Sequence, residues 1–496
     1  MTLPEHVRTL VVGAGFAGIG LTSRLLRDDP TADVVIVERG SDVGGTWRDN
    51  TYPGCACDVP TSLYSFSFAP SAGWSHTFAR QQEIYAYLRK VVHDSGIADR
   101  VITDCELLEA GWDDVEATWR VRTSRGLLTA DILVAATGAL STPSIPDIPG
   151  LDGFEGTIFH SATWNHDHDL SGERVAVVGT GASAVQFVPE IVDTTAHLTV
   201  FQRTPAWVVP RLDRSLPKLE KALYREFPFT QKMVRGSVYT LREALGGVLA
   251  HATGLLPLFE LAAKAHLFAQ VRDPALRAKL TPGFTIGCKR MLLSNDWLRT
   301  LDRQDVTLVD SRLASIEGNT VVDGYGTARE VDTIIFATGF TPTEPPVSHA
   351  IRGTDGRTLA EHWDGSPSAY KGTSVSGFPN LFLMYGPNTN LGHSSIVYML
   401  ESQAEYIADA VNLMRQREFE SIEVTGKAQA KYNEEIQDAL RSTVWNKGGC
   451  SSWYHDARGR NSVQWPTFTF EYRSQLARFD ADHYITRSRP KRAVTA

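Results

Sequence analysis

The sequence predicts an α/β fold with two parallel-sheet units, each opening on a glycine-rich loop. Gly13-Ala14-Gly15-Phe16-Ala17-Gly18 follows the apolar run Thr9–Val12, and Gly179-Thr180-Gly181-Ala182-Ser183-Ala184 follows Arg174–Val178. A repeat supports the pairing: the apolar runs beginning at Asp131 and Asp332 both end in Ala-Thr-Gly, at 136–138 and 337–339. Strand, glycine loop and helix in that order form the phosphate-binding turn of a Rossmann unit. Two units imply two dinucleotides, and two redox dinucleotides in one chain imply electron transfer between them.

The elements follow in order. Residues 1–143 form the first part of the first dinucleotide-binding domain, with a strand over Asp33–Glu38, a helix over Gln82–His93 and a buried strand over Asp131–Ala136. The Pro-rich stretch Thr142–Gly150 has the stiffness of a hinge. Residues 144–209 hold this linker and the first part of the second domain, including the strand His197–Arg203. Residues 210–284 are rich in Leu, Ala, Lys, Arg and Glu and lack strand alternation, so they read as a helical insertion. Strand patterns resume at Val306–Val309 and from Asp332, making 285–339 the second part of that domain. Residues 340–496 carry helices over Met399–Gln416 and Lys427–Trp445 and return to complete the first domain.

Composition narrows the classes. In 496 residues, 42% hydrophobic and 21% charged content suits a globular protein with large cores, and a net charge of −8 gives no support to nucleic-acid binding. The five Cys show no paired framework, which points to a reducing, cytoplasmic setting, and the N-terminus lacks a basic signal-peptide region. Cys55 and Cys57 form C-x-C, neither a metal knuckle nor a C-x-x-C redox pair; no metal site is expected. Residues 244–259 carry no formal charge. The stretch is shorter than the ~20 residues a membrane span needs, so it reads as a buried or interfacial helix, with weak membrane association left open.

The loops specify their ligands. Gly13 makes the tight turn, Gly15 lets the backbone approach a pyrophosphate, and Gly18 allows close helix–strand packing. Glu38 stands twenty residues after Gly18, where a carboxylate accepts from ribose hydroxyls and repels a 2′-phosphate, so this loop takes FAD or NAD. In the second unit the equivalent offset from Ala184 lands on Arg203, a cation suited to the extra phosphate of NADP. Gly179, Gly181, Ser183 and Thr204 belong to the same expected NADPH site.

Between the units, Phe154, Gly156, His160 and Trp164 form F-x-G-x-x-x-H-x-x-x-W, and upstream lies Gly44-Gly45-Thr46-Trp47 with Asp58 beyond it. Together these resemble the type I Baeyer–Villiger monooxygenases, within the flavin-containing monooxygenase superfamily. Asn165 stands where that family usually has Pro or Asp. The resemblance spans nearly the whole chain and implies FAD in the first domain and NADPH in the second. It implies that reduced flavin and O2 form a C(4a)-peroxyflavin whose anion attacks a ketone, giving an ester or lactone, with sulfoxidation a possible side activity. A peroxide anion needs a fixed cation and exclusion of water. By resemblance Arg290 supplies the cation, Asp58 orients it, and Lys289 contacts the NADP phosphate. His160 and Trp164 belong to the hinge, Trp47 packs on the flavin, and Trp453 reaches the nicotinamide cofactor. Two other enzymes share the two-loop plan. A flavin N- or S-monooxygenase needs no such cation, and its fingerprint usually ends in Tyr or Phe. A disulfide reductase needs a Cys pair near the flavin that C-x-C does not supply. A non-catalytic flavin-binding scaffold leaves both loops and the cation unexplained. Which ketone is taken, and the oligomeric state, are not legible.

Overall fold

The computed structural model describes residues 2–341 and 345–488, so the last eight residues of the 340–496 segment lie outside it. Two sheets organise the chain. The first has eight strands. Its parallel centre is His6–Val12 flanked by Val34–Val37 and Gly126–Ala135, with Leu381–Leu383 running parallel to Gly126–Ala135. Leu107–Asp113 and Thr118–Thr123 join as an antiparallel meander, and Ile351–Arg352 adds at its edge. Residues beyond 340 therefore contribute strands to the sheet that the N-terminus begins. The second sheet is wholly parallel, in the order Val306–Val309, His197–Phe201, Arg174–Val178, Thr333–Phe336, Thr157–His160. Its central strands are apolar on both faces, as a sheet covered on both sides requires.

The two glycine loops lie in steric contact with the two Ala-Thr-Gly turns. Gly13, at φ +106°, lies so close to the Ala136 carbonyl that an added Cβ would sit 2.7 Å from its oxygen. Gly179, at φ +110°, meets the Ala337 carbonyl in the same way at 2.5 Å. Each glycine loop thus nests against the turn ending its neighbouring strand, and both positions exclude a side chain. Gly18 is tighter still, since a Cβ there would stand 2.0 Å from the Gly13 oxygen, while at Gly15 the nearest atom would be 3.9 Å away. Gly18 therefore serves packing, and Gly15 leaves its space open.

Two expectations are corrected. The charge-free 244–259 stretch is not one helix: Pro228–Ala250 ends within it, Leu256–Gln270 begins within it, and the two axes bend by 97°. Gly254 and Pro257 account for the corner, because Pro is tolerated in a first helical turn and not inside one. No single helix among the described residues is long and apolar enough to cross a membrane. The cysteines are also not all unpaired, since Cys288 and Cys450 form a disulfide. Their separation of 162 residues leaves no spacing signal, and only the tertiary fold brings them together. Cys55, Cys57 and Cys105 are free and buried.

Candidate active site

One cavity of about 740 Å³ is lined from both units. Gly13, Gly15 and Glu38 contribute from the first, with Trp47 and Asp58 on the loops that follow. Ser183 and Gln186 contribute from the helix after the second glycine loop. Arg290, Tyr385, Trp453 and Tyr454 complete the wall. Glu38 is buried and fixed by the Ala14 N–H at 2.8 Å, the Gly40 N–H at 2.9 Å and the Arg48 guanidinium at 2.9 Å. Trp47 is held by its indole N–H donating to the Tyr64 hydroxyl at 3.0 Å.

Arg290 and Asp58 come together across 232 residues. The guanidinium donates from Nε to Oδ2 at 2.5 Å and from Nη2 to Oδ1 at 2.7 Å, a bidentate pair, while Nη1 donates to the Leu391 carbonyl at 3.0 Å. The side chains are 36% and 32% exposed, and both line the cavity. Burial opposes charge on both, but their attraction outweighs it, holding the Asp58 carboxyl below the usual range and raising Arg290 above its own. The pair is ionised at every working pH and carries almost no net charge.

A second guanidinium alters that balance. Arg242, on Pro228–Ala250, has neither a hydrogen bond nor a salt bridge among the described residues. Burial, then the nearby charge of Arg290, lowers its pKa, and Asp58 partly offsets this. The helix is seated against the site: Tyr239 stacks on Tyr398 at 5.1 Å, and Glu243 accepts from the Thr469 N–H and hydroxyl at 2.8 and 2.7 Å. Gly246 lies where a Cβ would be 2.6 Å from the His393 ring. One acid and two cations thus leave the site net positive. Arg242 was missed from sequence because it sits in an insertion whose helical pattern says nothing of what it faces.

The two units touch directly here. Gln186 accepts from the Tyr52 hydroxyl at 3.1 Å and the Ala56 N–H at 3.2 Å, and donates to the Ala56 carbonyl at 3.0 Å. The segment carrying Asp58 is thereby docked on the helix of the second loop. Gly179, Gly181, Arg203 and Thr204 lie outside the cavity wall, toward solvent. Lys289 is half-buried and carries its ammonium 5.3 Å from the Phe284 ring centroid. Burial and then the charge of Arg203 lower its pKa. No carboxylate among the described residues forms a salt bridge with either cation. Burial pushes the Cys55 thiol up to about 11 and Cys57 higher still.

Comparison with known proteins agrees with this geometry. Residues 10–225, which include both glycine loops, match the family described as pyridine nucleotide-disulphide oxidoreductase. A Baeyer-Villiger monooxygenase of Streptomyces coelicolor is 47% identical over 490 residues, covering 98% of this chain and 94% of the relative. The chain belongs to the Baeyer–Villiger monooxygenase family. A second member, from Pseudomonas aeruginosa, is 44% identical and covers 99% of this chain and 93% of its own. The structure of cyclohexanone monooxygenase from Rhodococcus sp. Phi1 bound to NADP+ superposes with a TM-score of 0.85 at 28% identity, covering 98% of this chain and all of that one.

The fingerprint residues of this monooxygenase lie along the second sheet and its contact with the first unit. Gly156 is forced, because a Cβ there would stand 2.1 Å from the Asp332 oxygen. His160 ends the edge strand, buried, with Nδ1 accepting from the Ala162 N–H at 3.0 Å and the ring near Gly339; burial lowers its pKa. Trp164 packs on Phe159 and Phe187, each at 5.1 Å, and Phe187 in turn meets Tyr52 of the first unit at 6.2 Å. Phe154 packs against the core under the second sheet. Trp453 is 44% exposed on the cavity wall, edge-on to the buried Tyr454.

Proposed function

We propose that this enzyme uses FAD and NADPH to insert one oxygen of O2 beside a ketone carbonyl. Ketone, O2, NADPH and a proton give ester or lactone, NADP+ and water. The observation that carries the reading is the Arg290–Asp58 pair on the cavity wall, with the charge of Arg242 acting on both.

The residues fit both cofactors. The open face of Gly15 admits a pyrophosphate, the helix from Phe16 directs free N–H groups toward it, and Glu38 takes the ribose. Trp47 and Asp58 stand at the flavin end. Gly179, Gly181 and Ser183 would hold the second pyrophosphate, Arg203, Thr204 and Lys289 the 2′-phosphate, and Trp453 the nicotinamide end. When bound, the flavin passes the electrons of NADPH to O2.

The protein's part is electrostatic. An oxygen nucleophile must stay ionised until it meets the carbonyl, and Arg290 offers it a permanent cation; guanidinium does not deprotonate in a buried site as an ammonium can. At an effective dielectric near 20, a unit charge at ~4 Å contributes ~4 kcal/mol, enough to shift a pKa by several units. Asp58 fixes the plane of the guanidinium, and Arg242 keeps the site net positive despite that carboxylate. His160 at the sheet edge and Trp164 on Phe187 form part of the joint between the units.

The test is a ketone panel followed for NADPH oxidation, with products identified by mass. Ketone-dependent NADPH consumption yielding a product one oxygen heavier supports the reading. Oxygenation of amines or sulfides with no ester from any ketone would overturn it.

A further inference from the structure

The helical insertion carries a surface that the reaction does not explain. In Leu256–Gln270 the exposed positions are Pro257, Leu258, Phe259, Leu261, Ala262, Ala265, Phe268 and Ala269, all apolar. Leu258, Leu261 and Phe268 are 64%, 66% and 61% exposed and lie on one helical stripe. The polar residues of the same helix all turn inward. Glu260 accepts from the Ile286 N–H, Lys264 lies by the Trp207 ring, His266 meets the Ser294 carbonyl, and Gln270 donates to the Asn295 carbonyl. The amphipathicity is therefore the reverse of that of a water-facing surface helix. The preceding helix continues the surface with exposed Phe229, Met233 and Leu241, and from 227 to 269 the only exposed formal charge is Lys232.

Charge identifies the occupant. Residues 218–279 contain ten Lys and Arg and five Asp and Glu, a net charge of +5 in a chain whose total is −8. Within residues 218–279 the exposed charges are Lys218, Arg225, Lys232, Arg272 and Lys279 against Glu226 and Asp273, so the excess positive charge is carried at the surface. A second copy docking by this face would set like charge against like charge. An anionic lipid surface complements both features, its headgroups meeting the cations and its acyl boundary taking the aromatic and leucine side chains.

We infer that the bent helix pair Pro228–Gln270 docks the enzyme peripherally on anionic membranes, lying in the interface without spanning it.

The FAD-loaded enzyme is floated with vesicles of phosphatidylcholine containing about one-third phosphatidylglycerol, and separately with pure phosphatidylcholine. At least about tenfold more enzyme should float with the anionic vesicles, and added salt should reduce the excess. Leu258→Ser, Leu261→Ser and Phe268→Ser together should abolish flotation while leaving bound flavin and NADPH oxidation unchanged. Lys232→Glu with Arg225→Glu should lower flotation on anionic vesicles only. Equal or absent binding to the two compositions, or a triple variant that still floats, overturns the inference. So does a sedimentation equilibrium showing a dimer that the triple variant dissociates.

Discussion

Cofactor choice offers a quantitative test through Arg203 and Lys289. Arg203 acts on Lys289, and neither has a salt-bridged carboxylate among the described residues, so a 2′-phosphate would bring both their counter-charge. A charge-assisted hydrogen bond contributes ~1.5–3 kcal/mol. Arg203 is exposed and belongs at the low end, so Arg203→Ala should raise the KM for NADPH about tenfold. Lys289 is half-buried and belongs higher, so Lys289→Ala should raise it on the order of a hundredfold. NADH lacks the phosphate and its KM should barely move in either variant. The pH dependence has a definite sign. Burial and Arg203 lower the Lys289 pKa from the ordinary 10.5, and the cation that binds phosphate is lost as pH rises through the lowered value. The KM for NADPH should therefore climb with pH before an ordinary lysine would titrate, while that for NADH stays flat. In Arg203→Ala the climb should move to higher pH, because one depressing charge is gone. Steady-state kinetics with both cofactors from neutral to alkaline pH reads all of this. Equal effects on NADH and NADPH, or a climb that moves to lower pH in Arg203→Ala, would refute the assignment.

Gly15→Ala and Gly18→Ala should separate ligand approach from packing. The first should fold with Tm nearly unchanged yet lose flavin absorbance, whereas the second, with a Cβ 2.0 Å from a backbone oxygen, should not yield folded protein. Thiol titration in denaturant without reductant should find three free cysteines and, after reduction, five; five at the outset would exclude the Cys288–Cys450 bond. Arg242→Met should keep flavin reduction by NADPH but raise hydrogen peroxide at the expense of ester. The expected loss is on the order of 1–2 kcal/mol, as for charges ~8–16 Å apart at an effective dielectric near 20. An unchanged product ratio would remove Arg242 from the account.

The sequence was most legible where local sterics set the structure. Gly13, Gly18 and Gly179 leave a short-range signature because a Cβ there would lie under 3 Å from a backbone oxygen, and Gly138 and Gly339 leave one because they sit at φ +66° and +84°. The helix read as Gln82–His93 runs Gln81–Asp94, and that read as Met399–Gln416 runs Ile396–Arg417. The meander Leu107–Thr123 went unread although Trp119, Val121 and Thr123 are buried between exposed Arg120 and Arg122; the expectation of alternating strand and helix masked a period of two. The helix read as Lys427–Trp445 breaks after Leu440, where the Thr443 hydroxyl donates to the Leu440 carbonyl and a separate turn begins at Val444. Long-range features had no signature at all. Arg290 and Asp58 were named only through resemblance, and the links Gln186–Ala56 and Cys288–Cys450 exist because the fold closes on itself.

The central claim is that the guanidinium at 290 keeps the oxygen nucleophile ionised. Arg290→Ala, checked for full flavin content, answers it most directly when ester and hydrogen peroxide are quantified together against NADPH consumed. The account predicts flavin reduction at near the parent rate, with ester falling by about a thousandfold or more and hydrogen peroxide matching the NADPH oxidised. Ester formed at close to the parent yield would contradict it.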